Sequence, residues 1–176
     1  MRETVHRLAL ACLVMLTAVQ PAVAEDSGLR GVFVGETQAD AEIGKAIEAV
    51  VAKMNFITRP IARGRLMKTN PAYRRVEIVS AAGEFSVKFD DRAAVQAPLN
   101  GQSVEWMRED GEKFELTASR QGDRILQTFK SKDGRRSNRF SLSPDRDTLT
   151  MEVTIESEQL PAPIHYSMIF LRRSAQ

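Results

Sequence analysis

From Arg75 onward the apolar residues recur at every second position, in short runs separated by turn signals. Phe85, Val87 and Phe89 alternate with Ser86 and Lys88, and Phe114, Leu116 and Ala118 with Glu115 and Thr117. Leu149, Met151, Val153 and Ile155 alternate with Thr150, Glu152 and Thr154, and Ile164, Tyr166, Met168 and Phe170 share the parity of the last run. A period of two puts one set of side chains on one face of a β-strand. Runs at 76–80, 104–106, 125–129 and 140–142, and a weaker one at 93–97, bring the expected strands of this region to nine. Ala82-Gly83, Asp90-Asp91, Asn100-Gly101, Asp110-Gly111, Gly122-Asp123, Asp133-Gly134 and Pro144-Asp145 stand between them. Such short turns join antiparallel neighbours, whereas parallel strands need long crossovers. The pattern predicts an up-and-down antiparallel meander.

The residues before it read differently. Residues 29–34 (LRGVFV) form a short first strand ended by Gly35-Glu36. Thr37 is placed to cap a helix, with Asp40 in its first turn. Ile43, Ile47, Val50, Val51, Met54 and Ile57 then follow at helical spacing, predicting one apolar face over about 40–58. Pro60 ends or kinks that helix, and a second short one is expected at 61–67 before Asn70-Pro71. The expected fold is therefore mainly β with an N-terminal helical block at about 38–68. The meander must cover its apolar face, so it curls into a barrel or half-barrel, capped or plugged by a helix.

Residues 1–24 have the three parts of an export signal. Arg2 and Arg7 precede an apolar run from Leu8 to Val19, and Ala22-Val23-Ala24 is a cleavage site after Pro21. The run is shorter than the roughly 20 residues of a membrane span, an uncleaved anchor being the alternative. The expected product is a single domain over 25–176, in the periplasm or outside the cell, with no transmembrane segment after cleavage. The segment holds the only cysteine, Cys12, one of the two histidines, two arginines and one glutamate. Its removal leaves 152 residues with one histidine, 23 basic and 22 acidic groups. No disulfide, cysteine nucleophile or two-histidine metal site can be built from that set. Near-neutral charge also argues against nucleic acid as a partner. No catalytic residue, cofactor site or metal site is assigned.

Candidate binding residues come from two places. Arg59, Arg63 and Arg65, with Lys68, make a basic cluster at the end of the helical block, suited to an anionic headgroup. Cations at a helix end need no ligand, however, since the helix dipole favours them there. Gln127 and Tyr166 share parity with apolar positions, as do Asn138 and Arg172, so an inward face would carry them into a mostly apolar interior. Internal hydrogen bonding is the competing explanation. Trp106 and the phenylalanines are expected in the core, and Met54, Met67, Met107, Met151 and Met168 as adaptable packing. His165, opposite Tyr166 in parity, is expected outside.

The order strand, helix-turn-helix, long meander resembles the fatty-acid-binding-protein branch of the calycin barrels. That resemblance implies ten strands capped by the helix pair, with ligand inside. Gly31-Val32-Phe33 looks like the Gly-x-Trp of calycin first strands with Phe for Trp, and Arg172 or Arg173 would be its basic cover. The branch's carboxylate-binding Arg-x-Tyr is absent, His165-Tyr166 being the nearest match. A second likeness, of design only, is to periplasmic lipoprotein carriers and localisation factors. These readings make the chain an exported non-catalytic binding protein for a small apolar or amphipathic ligand. The alternative is an envelope protein-interaction module, an assembly factor or inhibitor, with a packed interior. An enzyme of unknown type stands third.

Overall fold

The computed structural model describes residues 29–36 and 38–173; the export signal expected at 1–24 and the expected cap Thr37 lie outside the described residues. Ten strands and two helices follow in the order β1 (Gly31–Gly35), α1 (Ala39–Val51), α2 (Arg59–Thr69), β2 (Arg75–Ala81), β3 (Glu84–Phe89), β4 (Val95–Pro98), β5 (Val104–Met107), β6 (Lys113–Gln121), β7 (Arg124–Ser131), β8 (Gly134–Leu142), β9 (Thr148–Glu156) and β10 (Ile164–Arg172). All pairings are antiparallel, in one sheet of order β4-β3-β2-β1-β10-β9-β8-β7-β6-β5. Every strand thus pairs with its sequence neighbours except β4 and β5, which form the two ends of the sheet, while β1 also pairs with β10 and so joins the two halves. A bridge from Asn100, after β4, to Ser119 of β6 draws the two edges together into a nearly closed barrel.

The helical block departs from the expected boundaries. The first helix starts at Ala39, and Gln38 at its cap position makes no side-chain cap bond. It stops at Val51, well before Pro60. The cause is Asn55, whose Oδ1 accepts from the backbone N–H of Ile57 (3.1 Å), the backbone N–H of Thr58 (3.0 Å) and the Thr58 hydroxyl (3.1 Å). A short amide that bonds its own backbone competes with helix propagation. Pro60 therefore sits in the first turn of α2, where its missing N–H costs nothing. Ile57 is 65% exposed in the connection instead of extending the apolar face. The real face is Ile43, Ile47, Val50 and Val51, all buried, and α1 packs it against β10 and α2.

Strand register arranges the inward side chains of one wall in rows. Nearest the helices lie Ile164, Ile155, Arg136, Phe129 and Leu116 on β10 to β6; next Tyr166, Val153, Asn138, Gln127 and Ala118; then Met168, Met151, Phe140, Ile125 and Arg120. Phe33, Val76, Ile78, Phe85, Val87 and Val95 line the facing wall and are buried. Met151 and Met168 join this core as expected, whereas Met107 is 61% exposed and Met67 lies on the surface of α2. Trp106 is partly buried at the edge of the core against Phe114 and Phe129, at 5.6 and 5.0 Å between ring centroids.

The first and last strands are latched together. Arg172 lies over the Phe33 ring at 4.7 Å and donates from Nη1 to the Arg30 carbonyl at 2.9 Å. Gly31 has φ +151, a conformation that other residues rarely adopt, and a Cβ there would also press on that guanidinium, so the position favours glycine. A cation over an aromatic face contributes about 0.5–2 kcal/mol. The basic cover expected over Gly31-Val32-Phe33 is therefore present, and Arg172 supplies it.

Candidate functional site

The interior row that holds Gln127 and Tyr166 gathers, with Arg136 and Asn70, the largest group of polar side chains inside the barrel among the described residues. Its local chemistry starts from Arg136, a group that can only donate. Arg136 Nε donates to Asn138 Oδ1 at 3.0 Å, which turns the Asn138 amide so that Nδ2 donates to Gln127 Oε1 at 3.1 Å. With its oxygen used, Gln127 is left with Nε2 facing no acceptor, although the residue is fully buried. The orientation of both amides thus follows from the arginine and is not a free choice. Arg136 Nη1 donates to Asn70 Oδ1 at 3.0 Å, and the Tyr166 hydroxyl donates to the same oxygen at 3.3 Å. Asn70, at the end of α2, is itself fixed by donating to the Leu66 carbonyl at 2.9 Å. Arg136 Nη2 is buried and makes no hydrogen bond of ordinary length and angle.

Two features set this cluster apart. Every partner of Arg136 is neutral, and among the described residues no carboxylate is paired with it, Glu156 being taken by the neighbouring Arg135. Burial acts to lower its pKa, but the phenols of Tyr166 and Tyr73 beside it more than offset this, so the guanidinium keeps its charge. Burial likewise pushes the Tyr166 phenol above its ordinary value, Arg136 pulling the other way and Tyr73 adding to the rise. The site is then one positive charge, a protonated phenol and unused N–H donors in a hydrocarbon wall. Such a group of donors can hold an anion or a polar oxygen.

The basic cluster on α2 is arranged otherwise. Arg59 Nη2 donates to the carbonyls of Ala52 and Met54 at 2.7 and 2.9 Å, closing the open end of α1, while its Nε is buried without a partner. Arg63 pairs with Glu48 at 2.5 Å, and Arg65 with Asp133 in the β7–β8 turn at 3.2 Å. Arg59 and Arg63 do share a helix face, directed at α1, and Arg65 reaches the barrel rim. The structure brings Gln127 and Tyr166 together through Asn138, Arg136 and Asn70, and it does not bring the three α2 arginines to that place.

Sequence reasoning did not single out Arg136, Asn70 or Tyr73. For Arg136 the signal was available, since it stands two residues before Asn138 and four before Phe140, in the same parity. Asn70 reads as a helix stop, and its contacts to Arg136 and Tyr166 span 66 and 96 residues, beyond any local pattern. His165 is exposed, with Nδ1 3.1 Å from the Thr154 hydroxyl. Among the described residues no group of three or more His, Cys, Asp or Glu is placed to hold a metal, and no helix is long and apolar enough to cross a membrane. Two open grooves of about 400 and 220 Å³ mark the surface, the larger around Lys113, Lys130 and Lys132, the smaller around Val79, Ser86 and Gln96.

No family model matches the chain, and no curated protein matches it significantly. Solved structures do. A REP1-NXSQ fatty acid transporter aligns with a TM-score of 0.54 at 16% identity, over 84% of this chain and 97% of that one. Fatty-acid-binding protein 1 of Echinococcus granulosus gives 0.55 at 9% identity, over 84% and 98%. A secretory abundant heat soluble protein of Ramazzottius varieornatus gives 0.55 at 8% identity, over 83% and 96%. At these identities the likeness is one of fold, and the fold is the calycin-like barrel with a helical cap.

Proposed function

We propose that this is an exported, non-catalytic binding protein that carries or senses a small amphipathic ligand inside the barrel. The observation that carries the reading is the half-buried Arg136, with neutral partners only and its Nη2 buried without one, next to the unpartnered N–H of Gln127. A buried charge without a counter-charge is costly, and a ligand anion held there would offset that cost. The surrounding Phe129, Ile164, Val153 and Met151 suit the apolar part of the same molecule. The names of proteins sharing the fold, a fatty acid transporter and a fatty-acid-binding protein, support a ligand-carrying role by analogy of architecture. Export to the periplasm or beyond rests on residues 1–24. Native mass spectrometry of protein isolated from its source, followed by thermal-shift titration with amphipathic carboxylates, tests the reading. A retained anionic mass, and stabilisation lost in Arg136→Met, are expected. No retained mass and no shift across the panel would sink it.

A second reading, the envelope protein-interaction module, draws on a different surface. Phe56, Ile57 and Ile61 are 82%, 65% and 71% exposed around the α1–α2 connection. A partner that buried them would protect this connection from hydrogen exchange, and a triple Phe56→Ser, Ile57→Ser, Ile61→Ser variant would lose it. A triple variant that keeps full binding of that partner counts against this second reading.

A further inference from the structure

The sheet has two ends, and they are finished differently. At one end β4 closes with Pro98, which has no N–H to offer a neighbour. At the other end β5 has no proline, lysine or bulge, the usual devices that keep an edge strand from pairing with another chain. Beyond the Asn100–Ser119 bridge no pairing joins β4 to β5, so among the described residues β6 is the only strand paired with β5. The open side can be read from the register. Arg108 N–H donates to the Glu112 carbonyl at 2.9 Å, and hydrogen-bonded pairs then recur at every second position. Trp106–Phe114 and Val104–Leu116 are therefore the bonded pairs, while Glu105 and Met107 turn N–H and C=O away from β6. The edge thus offers two donor–acceptor sets about 7 Å apart along the strand.

The side chains say what fits there. Val104 and Trp106 are partly buried at the margin of the core, on the inner face. Glu105 and Met107 are exposed on the outer face. Residues 104–116 carry five carboxylates and two cations, and both cations are already held, Arg108 by Asp110 and Glu112, Lys113 by Glu105. The β5–β6 hairpin is thus an acidic edge on a chain of net charge +2. We propose that β5 is a docking edge for an extended, basic segment of a partner protein, which adds to the sheet as a further strand beside Val104–Met107. Main-chain bonds to Glu105 and Met107 supply the affinity, as in other cases of strand addition. Apolar residues of the segment meet Val104 and Trp106, and the basic residues between them meet Glu105 and the surplus carboxylates. This surface is separate from the barrel interior and from the α1–α2 connection, so it stands or falls independently of both readings above.

Trp106 is the only tryptophan, so its emission reports on β5 directly. The probe is a blocked hexapeptide of alternating valine and lysine, titrated into the purified protein at low salt. A blue shift of the Trp106 emission is expected. Affinity should be at least tenfold lower for the valine–glutamate counterpart, and as much lower for the valine–lysine peptide with every backbone N–H methylated. Met107→Pro removes one edge donor without touching a bond to β6, and it should weaken binding at least tenfold. Glu105→Lys should weaken it too, and raise the affinity for the valine–glutamate peptide. If Met107→Pro does not fold, the methylated peptide carries the same test on the wild type. No emission shift with the valine–lysine peptide overturns the proposal. Equal binding of the methylated peptide overturns strand addition, and equal binding of the acidic peptide overturns the basic partner. A dimer in sedimentation that disappears in Met107→Pro assigns the edge to a second copy of this chain and likewise overturns the partner segment.

Discussion

Two adjacent levels of the same strands make opposite use of the barrel interior. Under the helices β7, β8 and β10 present Gln127, Arg136, Asn138 and Tyr166; a single two-residue step further they present Ile125, Phe140 and Met168. The far level is mostly hydrocarbon, with Phe85 meeting Phe140 across the lumen and Arg120 bonding Ser80 beside them, and it stabilises the fold through burial and dispersion. The near level spends an arginine, two amides and a phenol where apolar residues would pack better. Backbone pairing is equivalent at both levels, so the contrast lies in the side chains alone. The far end is built for packing, and the helix end carries the polar groups on which the proposed binding role rests.

Four measurements can break or sharpen that contrast. Phe140→Ala should cost about 3–5 kcal/mol in denaturant unfolding, since it removes a buried ring facing another across the lumen. Arg136→Met should cost clearly less than that without ligand, because removing an unneutralised buried cation offsets the lost hydrogen bonds. An Arg136→Met loss as large as that of Phe140→Ala would make the near level structural and erase the distinction. Tyr166→Phe should cost about 0.5–1.5 kcal/mol, the worth of one hydrogen bond. It should also change the alkaline limb of the stability profile. With its folded pKa raised above the ordinary 10.0, Tyr166 contributes stability present below that value and lost as pH rises through the folded pKa. The wild-type midpoint should therefore fall more steeply than the variant's above pH 10.0. Arg63→Ala should change stability by less than about 1 kcal/mol, because its pair with Glu48 is half-exposed and screened. A larger loss there would mean that α2 is held on by charge.

Much of the architecture was legible from residue order. The period-two runs and their turn pairs locate nine of the ten strands, including the weak one that became β4, because pleat periodicity and turn chemistry are local properties. The helix boundary was not, since Asn55 ended α1 through its own backbone and apolar spacing carries no sign of that. Parity placed Gln127, Asn138 and Tyr166 inside, and Gly31-Val32-Phe33 pointed to the cover that Arg172 provides. What parity could not reveal was company. Arg136 reaches Asn70 across 66 residues, and whether an inward polar group ends up satisfied depends on strands and helices brought together from far apart in the chain. The partners of two α2 arginines, Glu48 and Asp133, were beyond reach of the sequence for the same reason, since they lie on other elements.

The latch between Phe33 and Arg172 also bears on the order in which the molecule can assemble. It joins residues from opposite ends of the chain, Arg30 and Arg172 being separated by 142 positions. Contacts of such separation carry a large closure entropy and slow folding. A chain emerging from its N-terminus holds β1 beside β2 alone until the nine residues of β10 become available. The strand made first is thus completed by the strand made last. Until then the middle of the sheet is an open edge, and a chain cut short before Ile164 would expose Phe33 and lose the seat of α1 together. The arrival of β10 becomes the event that closes this sheet.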